Sequence, residues 1–246
     1  MADPDDIPLV GGNMGEVFRR GDTVVRRAGS WTPAVHRLLW RLHEAGVEGV
    51  PRPIATEDGT EILSYVEGEV PRYPLPGWVW GVPALVSAAR LLRRVHDATL
   101  GGPWEGPWRS PVHEPVETVC HNDFAPYNLA FADGRVVGAI DWDYASPGPR
   151  IWDLAYLAYR LVPLTTVPDD AFTPQERAAR LALLLGAYGS DAEPAELVQV
   201  VVDRLRELAA LTDELAEQLG KPELHEHAAL YRVDASALAE NADGSV

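Results

Sequence analysis

A chain of 246 residues with 46% hydrophobic content can bury a sizeable core, as one large domain or two small lobes, and its 21 Lys and Arg against 37 Asp and Glu give a formal charge of −16. That charge repels nucleic acid and anionic membrane surfaces and suits a cationic small-molecule partner. The single Cys120 excludes an internal disulfide and a cysteine-built metal site. It reads as a small buried residue in a reducing, cytoplasmic setting. MADPDDIPLV at the start lacks the basic patch and apolar run of a signal peptide, and no stretch of about 18 uninterrupted apolar residues suggests a membrane span.

Short strand-like runs crowd the first third: 7–10, 16–20, 23–27, 51–57 and 60–66, with turns at Arg20-Gly21-Asp22 and Glu57-Asp58-Gly59. One helix interrupts them, with Thr32 as cap and Pro33 in its first turn; Val35, Leu38, Leu39 and Leu42 share a face, and Gly46 ends it. Four Pro and three Gly between Glu67 and Pro83 mark a change of composition and a boundary between lobes, 1–66 and 67–246. Helical patterns then cover 83–99, 149–162, 174–188, 194–219 and 222–239, with a small β island between the first two. The fold class expected is α+β: a small β-rich lobe with one helix, then a larger, mostly helical lobe.

The island carries the chemistry. His121-Asn122-Asp123 followed by Asn128 fits H-x-D-x-x-x-x-N, and a second acid, Asp141, closes the apolar strand Val136-Val137-Gly138-Ala139-Ile140. Phosphoryl transfer needs a carboxylate to orient and deprotonate the attacking hydroxyl, and oxygen ligands that hold magnesium against nucleotide phosphates. Asp123 is the candidate base; Asn128 and Asp141 are the candidate metal ligands, a donor set that suits an ion which keeps several waters. The plainer alternative is that Asp123 and Asn128 cap turns.

These residues, "HNDFAPYN", "AIDWD" and "WDLAY" (Trp152 to Tyr156), together with the order of the lobes, make the chain resemble the aminoglycoside phosphotransferase and choline kinase-like family over nearly its whole length. The resemblance implies a protein-kinase-like two-lobed fold, ATP and Mg2+ as cofactors, and a small-molecule acceptor, by default an aminoglycoside-type antibiotic or similar cationic metabolite. The chain is expected to act as a monomer or homodimer, and the resemblance implies a phosphate-binding loop at "VGGNMGEV", where Gly12 and Gly15 fit but Val10 replaces the first glycine. It also expects a Lys on the next strand and a Glu on the helix; the chain offers Arg26 and no helix Glu before Glu44. Arg bridges phosphate oxygens in a bidentate way but does not share the geometry of Lys. His36 is a candidate anchor where the helix Glu is expected.

The remaining residues keep two readings each. Ser64 and Val66 fall where the inter-lobe hinge would present backbone groups to adenine. His121 reads as an organiser of the loop. Asp143 is a turn residue or supporting group rather than a metal ligand. Asp153 is either a brace of the catalytic loop or a helix-start acid favoured by the dipole. Trp104 and Trp108 either line a pocket or anchor a Pro-rich loop. The rival from another class is a nucleotide-binding pseudokinase or regulatory module, motivated by Arg26 and the missing helix Glu; a metal-dependent hydrolase lacks the ligand spacings it would need.

Overall fold

The computed structural model describes residues 6–9, 17–167 and 172–243. The chain divides into two compact units, 1–150 and 151–246. In the first, strands β1 (Ile7–Pro8), β2 (Val17–Arg20), β3 (Thr23–Arg27), β4 (Pro53–Glu57) and β5 (Thr60–Ser64) form one sheet in the order β1-β2-β3-β5-β4, with every neighbour antiparallel. β3 is central, and its register sets Arg26 opposite Val17 on one side and Glu61 on the other.

Helix α1 (Thr32–Glu44) buries Ala34, Val35, Leu38, Leu39 and Leu42, the apolar stripe that its 3.6-residue period dictates. Thr32 is not the cap that the sequence suggested. It is the first helical residue, preceded by Trp31, and its hydroxyl instead accepts from the amide of Gly29 at 2.9 Å. With Pro33 in the first turn lacking an N–H, one of the helix's orphan donors is absent anyway. Gly46, at φ +74°, closes the helix in the left-handed region.

After a 3₁₀ turn (Gly77–Trp80), helix α2 (Val82–Ala98) packs against the β island. The island is two antiparallel ribbons: β6 (Thr118–Cys120) with β9 (Ser146–Gly148), and β7 (Leu129–Ala132) with β8 (Arg135–Ala139). A close backbone crossing ties it to the segment after α1. Ala139 donates to the carbonyl of Gly49 at 2.8 Å; a Cβ on Gly49 would lie 2.0 Å from the carbonyl of Val137, and one on Gly138 2.6 Å from that of Gly49. Only glycine fits at both positions. A second tie is the bridge between Glu69 and Phe131. The first of these ties spans the expected 66/67 lobe boundary, which lies inside the first compact unit.

The second unit is helical: the remainder of α3 (Arg150–Leu161), then α4 (Pro174–Tyr188), α5 (Pro194–Leu219) and α6 (Leu224–Asp243). Thr173 and Glu176 form a reciprocal capping box at the start of α4. Helices α5 and α6 pack together across the turn at Gly220, φ +62°. Asp234 on α6 is fully buried and satisfied by the hydroxyls of Tyr159 (2.7 Å), Thr165 (2.8 Å) and Thr166 (2.5 Å) and the Thr166 amide (2.7 Å). Among the described residues, no helix is long and apolar enough to cross a membrane.

Candidate active site

Strand β6 delivers His121 into the interior, where it is fully buried against the rings of Phe124 and Trp142. Its Nδ1 accepts from the amide of Asp123 at 3.3 Å, so its proton sits on Nε2, which donates to the carbonyl of Ile140 at 3.0 Å. His121 thus joins the loop after β6 to the end of the segment after β8. Asn122, at φ +63°, is one of the residue types that tolerate the left-handed region. Its amide donates to the carbonyl of Tyr144 at 2.9 Å and the hydroxyl of Ser146 at 2.7 Å.

These clamps present Asp123 with both carboxylate oxygens engaged. Oδ1 accepts from the hydroxyl of Tyr127 at 2.6 Å, and Oδ2 accepts from Nδ2 of Asn128 at 2.7 Å. Asn128 sits in the 3₁₀ turn Pro126–Asn128, and its Nδ2 also donates to the Asp123 carbonyl at 3.0 Å. With the nitrogen held on Asp123, the amide oxygen is the atom left to face a cation.

The segment beyond β8 turns sharply at Asp141, φ +57°. Trp142, buried, donates its indole N–H to the Ala139 carbonyl at 3.1 Å and pins the turn. The side chain of Asp141 is 40% exposed, that of Asp143 only 14%. Arg26 from β3 meets both: Nη1 donates to Asp141 Oδ1 at 3.1 Å and Nη2 to Asp143 Oδ1 at 2.5 Å. Its Nε donates to Oε1 of Glu61 at 2.7 Å, and Oε2 of Glu61 accepts from Nε2 of His36 at 2.7 Å. Burial works to lower the pKa of Arg26, but the carboxylates of Asp143, Glu61 and Asp141 outweigh it and hold the group above its usual value. Burial pushes the Asp143 carboxyl up against the lowering pull of Arg26, and neighbouring Asp141 pushes it the same way as burial.

A second arginine stands behind Asp143. The guanidinium of Arg109 lies between the rings of Trp31 (4.6 Å) and Tyr144 (4.3 Å), with Nη1 3.8 Å from Asp143 Oδ2. Asp143 is therefore a partner of two arginines rather than a simple turn residue.

The structure brings Arg26, His36, Asp141 and Asp143 into one connected network, and Asp123, Asn128 and His121 into another that meets it at Ile140. Gly12 and Gly15 lie outside the described residues. Ser64, the last residue of β5, donates its amide to the Arg52 carbonyl at 2.9 Å, and its hydroxyl accepts from the Arg52 amide at 2.8 Å. Val66 sits against Gly138. Asp153 is fully buried in the first turn of α3. The indole N–H of Trp104 donates to the Thr99 carbonyl at 2.8 Å, which favours its anchoring role. Sequence reasoning missed Glu61, Tyr127, Asn122 and Arg109. For Glu61 the available signal was its place one strand from Arg26 with no other acid in reach on α1.

Comparison with known proteins follows the same lines. The family described as "Phosphotransferase enzyme family" matches residues 15–198. The trifolitoxin immunity protein of Rhizobium leguminosarum bv. trifolii is 33% identical over 201 residues, covering 75% of this chain and 74% of that protein. Among solved structures, a choline/ethanolamine kinase family protein from Mesorhizobium loti superposes with a TM-score of 0.66 at 19% identity, over 96% of this chain and 88% of that one. Amicoumacin kinase hAmiN, solved with AMP-PNP, Ca2+ and Ami, gives 0.69 at 13% identity, over 95% and 88%. The α+β fold is that of the protein-kinase-like small-molecule kinases.

Proposed function

We propose that this chain, which belongs to the phosphotransferase enzyme family, moves the γ-phosphoryl group of ATP to a hydroxyl of a small molecule. The observation that carries this reading is the ion pair at 3.1 Å between Arg26 on the sheet and Asp141, which follows β8 in the island, 115 positions apart in sequence. It brings Arg26, the proposed phosphate-binding cation, beside Asp141, the proposed metal carboxylate, which follows Ile140, the residue whose carbonyl accepts from His121. On this reading residues 1–66 grip the nucleotide, with Gly12 and Gly15 at its phosphates and the backbone near Ser64 and Val66 at its base; residues 67–246 supply the catalytic groups and the acceptor site.

Asp123 takes the proton of the acceptor hydroxyl as that oxygen bonds to the γ-phosphorus and the bond to the β,γ-bridging oxygen breaks, releasing ADP. Tyr127 and Asn128 fix the plane of the Asp123 carboxylate, and His121 fixes the backbone that bears it. Asp141 and the amide oxygen of Asn128 would hold Mg2+: both are hard oxygen donors, and the amide nitrogen of Asn128 is already committed to Asp123. When bound, the ion neutralises charge on the phosphates. Arg26 supplies a fixed positive charge for the same phosphates, and Asp143 with Arg109 steadies it. A reaction that uses ATP fits a cytoplasmic setting.

The acceptor we favour is a cationic antibacterial compound or metabolite bearing a hydroxyl. The charge of −16 supports the cation, and a relative that is an immunity protein supports the antibacterial class and a role in resistance. A second reading, a nucleotide-binding module without efficient turnover, is favoured by one observation: all three nitrogens of Arg26 are engaged by carboxylates. Thermal stabilisation by ATP with magnesium tests nucleotide binding, and release of ADP dependent on an added acceptor separates the two readings. Stabilisation without any acceptor-dependent ADP release would favour the second.

A further inference from the structure

We propose that Glu61, on strand β5, is the positioning carboxylate of Arg26, and that His36 links this pair to helix α1; the inference rests on the nucleotide-binding reading above. Glu61 is 1% exposed on the same inward face as Leu63, where an acid persists only if its charge is met. The β3/β5 register sets it directly opposite Arg26. Its Oε1 takes Arg26 Nε and its Oε2 takes His36 Nε2, both at 2.7 Å.

The choice of Arg and the location of the acid explain each other. A glutamate directly across a strand pair meets the guanidinium at Nε, the nitrogen nearest the backbone, whereas the ammonium of Lys sits at the end of its chain and offers nothing at that depth. Held side-on by Glu61, Arg26 keeps Nη1 and Nη2 directed at Asp141 and Asp143, the side from which phosphate would be met. Helix α1, TPAVHRLLWRLHE, has no acid to offer before Glu44; its contribution is the imidazole of His36, which holds the second oxygen of Glu61.

The test is calorimetric titration of the full chain with magnesium and the non-hydrolysable analogue AMP-PNP, with a melting curve for each variant. Glu61→Gln, nearly the same shape without the charge, should weaken binding by about tenfold, the scale of one charge-assisted hydrogen bond. In an Arg26→Ala background the same change should cost less than about twofold, because the residue acts through Arg26. His36→Gln, which keeps a donor, should hold wild-type affinity where His36→Leu loses roughly threefold. Equal losses from Glu61→Gln in both backgrounds would make Glu61 a stability element and overturn the inference. So would wild-type affinity in Glu61→Gln when Arg26→Ala is weakened. Should Glu61→Gln fail to fold, the His36 pair decides: indistinguishable His36→Gln and His36→Leu refute the link. A wild-type chain that binds no magnesium nucleotide removes the nucleotide-binding reading, and this inference with it.

Discussion

Asp123 is held from two sides, by a phenol on one oxygen and an amide on the other, so its orientation is set before any acceptor arrives. Asp123→Asn keeps the shape and removes the proposed proton acceptor. Turnover should fall by roughly 10² to 10⁴ while calorimetry shows nucleotide affinity nearly unchanged. Asp141→Ala acts on a different quantity: it deletes the proposed metal carboxylate and one of the three acids around Arg26, so the magnesium dependence of nucleotide binding should largely disappear. Unchanged magnesium dependence would return Asp141 to a structural role. Arg26→Lys should weaken nucleotide binding by roughly tenfold, since one ammonium cannot replace three nitrogens that each meet a different carboxylate. At this scale the grouping of His121, Asp123, Asn128 and Asp141 was legible because they fall within one short stretch whose spacing suggests it. Glu61 and Arg109 were not. Their meaning comes from partners brought in by cross-strand register and by a Pro-rich loop, neither of which leaves a local pattern.

The elements themselves were read closely. Periodicity located α4 and α5 to the residue and α2 to within one position, because an apolar stripe at 3.6-residue spacing with Pro at the start and Gly at the end leaves little freedom. Thr32 was misread as a cap because a hydroxyl before Pro is a common start signal, yet here it bonds backward to Gly29. Strand β5 shows the limit more sharply: in TEILS the inward positions are Glu61 and Leu63, and only the acid's two partners explain why it faces the core. The crossing of Gly49 over Gly138 was invisible too, since it depends on two segments far apart in sequence. A methyl on Gly49 would meet backbone at 2.0 Å, and its φ of +77° is strained for any other residue. Gly49→Ala should therefore destabilise the chain by about 1–3 kcal/mol, seen as a melting temperature several degrees lower. A variant that melts with the wild type would show that this crossing is looser than the contacts require.

For the whole molecule, the excess of acid argues for a cationic acceptor drawn in by long-range attraction, which fades as the screening length shrinks to about 8 Å near physiological salt. The apparent affinity of the acceptor should fall steeply from low to high salt at fixed magnesium-ATP, whereas salt-independent affinity would leave the charge as a feature of solubility. The central claim, phosphoryl transfer to a hydroxyl through Asp123, is tested most directly by mass spectrometry of hydroxylated antibiotics, amino alcohols and sugars incubated with the chain, magnesium and ATP. The account predicts that an acceptor gains one phosphoryl group with the wild-type chain and that the gain is lost with Asp123→Asn. Phosphorylation that survives Asp123→Asn in a folded protein, or a wild-type chain that binds magnesium-ATP and modifies none of these classes, would contradict it.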